Sequence, residues 1–452
     1  MKVHLAILIC ISFQVVLSEQ VASCELDSEC RVLNTCSNNE CVHKELIPLE
    51  SLDIVGGLVI LVLAGLANAG GMGGGPLMTS SILLILSFET HQAIPLAQII
   101  VAGGSFVAVS LKFTQKHPKR NRPLINYTIL MHIQSPLLLG TTFGVILNRG
   151  FPEWLIIFLL TALLVFATFK TARKGIKLYK SESLNKVDQE EPDEEADGEN
   201  NQLTAARELN NGSSVSPELQ AIYDSEKKTI PLVPAVIIFS VLGLVILSSL
   251  LRGFIGAEEC TLESWLIIGG VAILLVTFSI ITARLVVQDS LSKYDLGYDF
   301  DEDDLIWDYR KAAKIGVGAF LAGLGAGLLG MGGGTIMSPL LLSLGVLPEV
   351  TAASCSFMVF FTSSAAVVQF GVAGEILFDY GAFLFTMSVV GSLCGVLLVK
   401  KIVNRSNRSS LIVLALGGAL GLASVIIPTY GVINVVDQLE SGNTQFGFQD
   451  FC

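Results

Sequence analysis

Gly71-Met72-Gly73-Gly74-Gly75 lies within a long apolar stretch, and the same five residues return as Gly330-Met331-Gly332-Gly333-Gly334, 259 positions later. Aligned without gaps, residues 67–78 and 326–337 agree at 7 of 12 positions. Consecutive glycines break a helix, and broken backbone at membrane depth is tolerated only where it is buried in protein or lines a cavity. Close helix packing at small residues is the alternative. Because the run occurs twice in matching surroundings, the sequence predicts two broken helices that form one site.

The composition indicates an integral membrane protein. Of 452 residues, 52% are hydrophobic and only 15% are charged, with a mean hydropathy of +0.65, whereas soluble domains carry about 25% charged residues. Much of the acid behind the net charge of −12 lies at 190–195 and 299–304, and the lack of a basic stripe argues against a nucleic-acid partner. No HExxH, GxSxG or GxxxxGK[ST] motif is present, so we expect neither an enzyme nor an ATP-driven pump, and no metal or cofactor.

The N-terminus indicates entry into the secretory pathway. Residues 1–23 resemble a signal peptide, with Lys2 ahead of an apolar run over 5–17; a first transmembrane helix is the alternative. The luminal or extracellular segment 24–50 then holds four closely spaced cysteines, Cys24, Cys30, Cys36 and Cys41. Behind a signal peptide such a set predicts two disulfides of open pairing. A zinc site is disfavoured because no CxxC pair is present.

The apolar segments fall into three blocks. The first repeat, 51–174, holds 54–88, 91–111, 124–147 and 154–172, and the second repeat, 311–430, has the same order with 312–346, 349–370, 376–399 and 410–429. Between them lie an acidic linker at 175–230, a two-helix insert at 231–288 and an acidic loop at 289–310, and a tail covers 431–452. We expect the linker to be disordered because its hydrophobicity is low.

Basic clusters mark the cytoplasmic side of a membrane protein. Placing those at 116–122, 170–180, 310–314 and 400–408 inside also puts the acidic linker and loop there. Segments 54–88 and 312–346 must then each begin and end on one side, as re-entrant pairs of half-helices; a tilted single span over 54–78 is the alternative. The predicted fold is an all-α polytopic membrane protein with two inverted repeats, each a glycine-broken re-entrant helix pair plus three spans, joined by the two-helix insert.

Each glycine run ends where a helix is predicted to begin. Proline is favoured in the first turn of a helix, so Gly75-Pro76 predicts an N-terminus there, and Gly334-Thr335 predicts its counterpart. Helix N-termini bind anions through their free N–H groups. Two N-termini that meet near the bilayer centre therefore predict an anion site that needs no lysine or arginine.

We expect the substrate to contact the glycine amides together with polar side chains of the same and the following helices. The candidates are Gly73, Gly74, Gly75, Thr79, Gln98, Ser105, Gly332, Gly333, Gly334, Thr335, Ser338, Ser356 and Ser364. The alternatives are hydroxyls bonded to their own helix backbone, and hydrogen bonds between helices without transport. Further intramembrane polar residues are Thr362, Ser363, Gln369, His132 and Gln134. For His132 we expect a structural hydrogen bond, with a proton relay as the alternative.

These motifs resemble one family. Residues 67–78 with 83–97, and 326–337 with 345–356, are similar to the repeats of the sulfite exporter TauE/SafE family of membrane permeases. The resemblance covers about 54–174 and 312–430 and implies export of sulfite or related organosulfur anions. The sequence departs from the family pattern at residues 87–91, which lack the Gly and Pro that residues 345–352 keep. The cysteine segment, linker and insert are additions that suggest a eukaryotic-type member.

We therefore expect a multi-pass protein of the plasma membrane or a secretory-pathway membrane that exports small anions by alternating access. Its expected partners are the small anionic substrate and the lipid bilayer, while a coupling proton or sodium ion and the oligomeric state stay open. The alternative is a non-transporting scaffold or quality-control factor that retains the permease fold. Filling the glycine runs with side chains would impair a transporter and leave a scaffold working.

Overall fold

The computed structural model describes residues 33–431 except 38–39, 70, 72, 118–119, 189–215, 229, 256–260, 302–303, 407–413, 415–416, 419 and 430. The predicted signal peptide, Cys24, Cys30 and the tail lie outside the described residues. Cys36 is disulfide-bonded, and its partner is not among the described side chains. The two-disulfide pattern therefore stays a prediction.

The described chain is helical apart from one short hairpin, in which β1 (Asn34–Ser37) pairs antiparallel with β2 (Glu40–His43). The first half contains α1 (Ser51–Ala69), α2 (Gly75–Ile85), α3 (Thr90–Lys112), α4 (Tyr127–Gly150) and α5 (Glu153–Asp188). The middle contains α6 (Pro217–Glu226), α7 (Leu232–Ile255) and α8 (Leu262–Asp295). The second half contains α9 (Tyr309–Leu329), α10 (Gly334–Ser343), α11 (Pro348–Val372), α12 (Phe378–Ser406) and α13 (Leu420–Thr429).

Within these ranges nine helices are long and apolar enough to cross a membrane, namely α1, α3, α4, α5, α7, α8, α9, α11 and α12. The predicted all-α polytopic membrane fold is thereby confirmed. Leucine, isoleucine, valine and phenylalanine side chains point outward along α7 and α8, as expected where the surrounding solvent is lipid.

Each glycine run separates a long helix from a short one that returns along it. A Cβ added at Gly56, near the start of α1, would lie 2.6 Å from the side chain of Leu86, which follows α2. A Cβ at Gly318 in α9 would lie 2.5 Å from Leu340 near the end of α10, and one at Gly325 would lie 3.5 Å from Ile336 near its start. Both segments are therefore helical hairpins whose ends lie on one side.

The two limbs of each hairpin differ in length, so the prediction of paired half-helices is wrong for the first limb. α1 has 19 residues and α9 has 21, against 11 in α2 and 10 in α10. At 1.5 Å per residue the first limbs are about 30 Å long and the second about 16 Å. A buried apolar helix tolerates the isolated glycines before each run. The extra length of each first limb lies at the end away from the glycine run, because Gly56 and Gly318, and not the first residues of α1 and α9, lie level with the ends of α2 and α10.

The hairpins pack reciprocally on the two halves. α1 of the first half packs on α12 of the second, where a Cβ at Gly65 would meet the Gly391 carbonyl oxygen at 2.7 Å and the Gly395 Cα at 3.1 Å. α9 of the second half packs on α4 of the first, where Gly323 and Gly327 face the backbone of Leu137 and Thr141. Small residues spaced by four let these backbones approach closely. Small-residue packing thus occurs beside the glycine runs rather than instead of them.

The bundle has two ends, which we name by their residues. The β-hairpin end carries β1–β2, residues 44–50 and the start of α12. The basic end carries the α3–α4 connection with Lys116–Arg122. At the basic end Arg120 pairs with Asp301 at 2.5 Å and Arg122 with Asp304 at 2.5 Å. The acidic loop after α8 is therefore bound to a basic cluster.

The predicted disordered linker is helical at both of its edges. α5 continues to Asp188, and α6 begins behind the N-cap Ser216 with Pro217 in its first turn. Glu226 of α6 accepts hydrogen bonds from Lys293 Nζ at 3.0 Å and from the Tyr298 hydroxyl at 2.7 Å. Burial, together with this bond, raises the pKa of Tyr298. α6 is ordered because its polar contacts hold it against the α8 end, although it buries none of its own residues.

Candidate functional site

The two glycine runs meet at the middle of the bundle. A Cβ added at Gly73 would lie 2.7 Å from Val359 and 3.5 Å from Val101, and one at Gly332 would lie 3.0 Å and 3.1 Å from the same two side chains. Gly75 lies directly against the backbone of Met331. Val101 is midway along α3 and Val359 is midway along α11. The predicted meeting of the two runs is therefore seen in the structure.

Both short helices begin at these runs. α2 starts at Gly75 behind Gly74, which has a left-handed backbone with φ of 66°, and α10 starts at Gly334 behind Gly333. The amides of Leu77 and Met78 donate to the Gly74 carbonyl at 3.0 and 3.1 Å. Amides free for an anion therefore lie before Leu77, where the predicted Gly73, Gly74 and Gly75 are, and Pro76 has no amide hydrogen to add.

Most of the predicted hydroxyls bond to their own helices. Thr79 Oγ1 donates to Gly75 O at 3.2 Å, Ser105 Oγ to Val101 O at 2.6 Å and Ser356 Oγ to Ala352 O at 2.7 Å. Thr335 Oγ1 lies 3.5 Å from Met331 O. Ser338 is buried and Ser364 is half-buried. These bonds match the alternative that intramembrane hydroxyls satisfy helix carbonyls, and the role of these residues in substrate binding stays a prediction.

Polar side chains cap the broken end of α9. Gln98 Nε2 donates to Ala326 O, Asn148 Nδ2 donates to Leu328 O at 2.8 Å, and Thr79 Oγ1 lies 3.4 Å from Leu329 O. The last four carbonyls of a helix have no partner within it, and water does not reach the bilayer core to satisfy them. Gln98 therefore has a clear structural task, and its Oε1 has no hydrogen-bond partner among the described residues.

Three buried polar side chains of α4 and α11 have unpaired atoms within the described part of the chain. Both amide atoms of Gln134 and the hydroxyls of Ser135 and Ser363 have no hydrogen-bond partner among the described residues, and all three residues are 0% exposed. A Cβ at Gly332 would lie 3.7 Å from Ser363 Oγ. The sequence marks these residues only as polar side chains within apolar segments. It does not show which of several such side chains lack a hydrogen-bond partner in the folded protein. His132, by contrast, makes the expected structural bond, with Nε2 2.9 Å from Ala312 O.

A lysine also lies near the first glycine run. Lys112 Nζ donates to Ser356 Oγ at 3.0 Å and to Ala352 O at 3.3 Å, and Gly71 lies against Ala352. Among the described residues no carboxylate forms an ion pair with Lys112. The candidate site was predicted to need no lysine, yet a half-buried lysine lies on the side of the site that faces the basic end of the bundle.

The end of the first helical hairpin that lies away from its glycine run is held by the N-terminal segment. The His43 ring stacks on Phe88 with centroids 3.7 Å apart, and Tyr380 meets both rings edge-on at about 5 Å. His43 Nε2 lies 2.9 Å from Leu86 O, just beyond α2. Burial lowers the pKa of His43, although hydrogen bonds to the Leu86 and Lys44 carbonyls oppose the shift. The N-terminal segment is thereby fixed to both halves of the bundle.

Among the described residues nine helices are long and apolar enough to cross a membrane, and two of them, α1 and α9, are the long limbs of broken helical hairpins, an arrangement typical of membrane transporters. The model of the Sulfite exporter TauE/SafE family matches residues 55–207 and 219–423. The chain belongs to this family, and it is a sulfite exporter-type membrane transporter with a small anionic substrate in a lipid environment.

Curated relatives match almost the whole chain. Sulfite exporter TauE/SafE family protein 1 of Arabidopsis thaliana is 29% identical over 424 residues, which cover 92% of this chain and 91% of the relative. Family protein 5 of the same plant is 29% identical over 415 residues, covering 90% and 89%, and family protein 2 is 28% identical over 418 residues, covering 90% and 89%. No solved structure matches the chain. The family match includes the two-helix insert, which is therefore not peculiar to this protein.

Proposed function

We propose that this protein exports small sulfur oxyanions, such as sulfite or an organosulfonate, by alternating access around the two helix N-termini. The observation that carries the proposal is the meeting of the two glycine runs at Val101 and Val359. Helix N-termini present free amides and a partial positive charge to an anion. The names of the plant relatives, sulfite exporter TauE/SafE family proteins, supply the sulfite part of the proposal.

The reciprocal packing of the hairpins supports inverted repeats. Each hairpin contacts the third long helix of the other half, as expected when two halves are related by a two-fold axis in the membrane plane. Gly71 lies beside Ala352, one turn into α11, and Gly330 lies beside Ala97, two turns into α3. The tip at Gly71 thus reaches toward the basic end, and the tip at Gly330 reaches toward the β-hairpin end. A small rotation of either helical hairpin would therefore open the site to one side.

Lys112 supports an anionic substrate. Its ammonium has three donors, of which two go to Ser356 and Ala352. A half-buried cation without a carboxylate partner attracts anions more strongly than an exposed one. In the proposed topology, with a signal peptide over 1–23, the 24–50 segment outside and the basic end in the cytoplasm, Lys112 lies where a cytoplasmic anion enters.

The proposed site uses the glycine amides first. Gly73, Gly74 and Gly75 would act from one side and Gly332, Gly333 and Gly334 from the other. Among the predicted side chains, Thr79, Gln98 and Thr335 would hold the broken backbone in place, because their hydrogen bonds go to carbonyls at the two breaks. The other predicted side chains, Ser105, Ser338, Ser356 and Ser364, would line the neighbouring helices, where Ser105 and Ser356 bond to carbonyls of their own helices.

Flux of radiolabelled sulfite into proteoliposomes tests the proposal, with sulfate and taurine as competitors and imposed proton or sodium gradients. We expect saturable flux for the wild type and its loss in Gly74→Leu/Gly333→Leu. Absence of flux and of sulfite binding in folded wild-type protein would favour the scaffold alternative, in which the fold is kept without transport.

A further inference from the structure

Gln134, Ser135 and Ser363, which we call the polar cluster, are buried side chains with no internal hydrogen-bond partner among the described residues. All three are 0% exposed, and four of their polar atoms, including both ends of the Gln134 amide, are unpaired within the described part of the chain. An unsatisfied buried polar group costs about 1–3 kcal/mol, and native proteins seldom leave several together. Because both ends of the Gln134 amide are unpaired, exchanging its oxygen and nitrogen changes nothing.

Ser135 and Ser363 lie at one depth, and Ser363 lies beside the second glycine run. α4 and α11 run parallel, because Asn126 N bonds to Ser354 Oγ and Gln369 Nε2 to Thr142 Oγ1, pairs that are 228 and 227 residues apart. This offset places Ser135 level with Ser363, whose hydroxyl lies 3.7 Å from an added Gly332 Cβ.

Gln134 belongs to the same place through its neighbour on the helix. Leu137, three residues later and therefore on the same face, lies 2.8 Å from a Cβ added at Gly333. The cluster is thus adjacent to the start of α10, where free amides are available.

We infer that Gln134, with Ser135 and Ser363, is the side-chain face of the substrate site and selects oxyanions that carry an O–H or N–H donor of their own. This inference rests on the proposed function. The Gln134 Nε2 group donates to an anion oxygen, and Oε1 accepts the hydrogen of the ligand. The helix amides supply donors only, so they take an oxyanion with or without its own donor equally well.

The selectivity has a physical reason. A ligand without a donor leaves Gln134 Oε1 buried and unpaired, and a site built to bond a hydroxyl rejects the analogue that lacks it. An oxyanion with no hydrogen of its own therefore binds less well than a monoanion with a hydroxyl, although both satisfy the amides. Gln98 Oε1, which also has no hydrogen-bond partner within the described ranges, adds to the same preference.

Two probes that differ only in a hydroxyl test the inference, 2-hydroxyethanesulfonate and ethanesulfonate. Their dissociation constants are measured by ligand-induced stabilisation of the full-length protein in detergent, and their exchange rates in proteoliposomes. We expect the wild type to bind 2-hydroxyethanesulfonate about tenfold more tightly, as one added hydrogen bond allows. Gln134→Met keeps the volume, loses the amide and should bind both probes equally.

Matched controls separate this role from a structural one. Thr141 lies on the same helix, is 0% exposed and donates to Leu137 O at 2.9 Å, so Thr141→Val should keep the tenfold preference. Ser363→Ala should reduce the preference and covers the case in which Gln134→Met fails to fold.

Equal binding of the two probes by a wild type that still transports sulfonate overturns the inference and leaves the proposed function standing. An unchanged preference in both Gln134→Met and Ser363→Ala also overturns it. Folded wild-type protein that neither binds nor transports either probe or sulfite overturns the proposed function together with the inference.

Discussion

The two glycine breaks share a sequence but differ in backbone and surroundings. In the first, Gly71, Gly73 and Gly74 all have positive φ, whereas in the second Gly330 and Gly332 do and Gly333 has φ of −58°. The end of α2 is held by His43, while a Cβ added at Gly345, beyond α10, would meet nothing within 4 Å. The backbone of the first break thus requires glycine at more positions, and the end of its short helix α2 is held by more contacts. We expect the second hairpin to move more during transport.

The largest effect is expected where the breaks touch. Gly75→Ala places a Cβ on the backbone of Met331, so the two tips must separate, and a displacement of about 1 Å at a site costs roughly 100-fold in rate. We expect sulfite flux to fall by about that factor while the protein stays monodisperse. Gly269→Ala is the matched control, since nothing lies within 4 Å of that position. Normal flux through Gly75→Ala would show that the approach of the tips is dispensable.

A second pair of variants tests the backbone difference directly. Gly74→Ala puts a side chain at φ of 66° and against Ala67, whereas Gly333→Ala keeps an ordinary helical φ and meets only the Leu137 side chain. The left-handed conformation alone costs an alanine about 1–2 kcal/mol. Thermal unfolding in detergent should therefore show a clearly lower melting temperature for Gly74→Ala than for Gly333→Ala. Equal losses would mean that the two breaks are equivalent.

Charge provides the third difference, because Lys112 lies beside the first break only. Lys112→Met should raise the KM for sulfite presented at the basic end about tenfold, as expected from loss of one nearby charge at intermediate dielectric. Lys112→Arg should restore most of the affinity. Lys116→Met, which removes an exposed lysine bonded to Asn121, should leave KM unchanged. If Lys112→Met lowered stability without changing KM, the lysine would serve only to hold α3 against α11 through Ala352 and Ser356.

The breaks were predictable because three consecutive glycines interrupt an apolar helix wherever they occur. The lengths of the limbs were not, because no local signal says how far α1 continues before Gly71. The hydroxyl candidates showed the limit of residue type: Ser105 and Ser356 are polar and intramembrane, yet they bond to their own helices. Lys112 was missed because a lysine at a helix end ordinarily extends to water, and only the packing of α3 on α11 turns it inward.

The smallest effect concerns the His43 contact that distinguishes the first hairpin. Burial lowers the pKa of His43 below its ordinary 6.5 in the docked state, so docking favours the neutral ring. Its contribution is complete above pH 6.5 and is lost as pH falls through the lowered pKa, because the undocked segment then binds the proton more readily. Protection factors of amides 40–50 in hydrogen exchange, which correct each rate for the intrinsic slowing of exchange toward acid, should fall on acidification in the wild type. In His43→Phe this fall should disappear, and in His117→Gln, at the basic end, it should persist; an identical pH response in His43→Phe would assign the effect to another group.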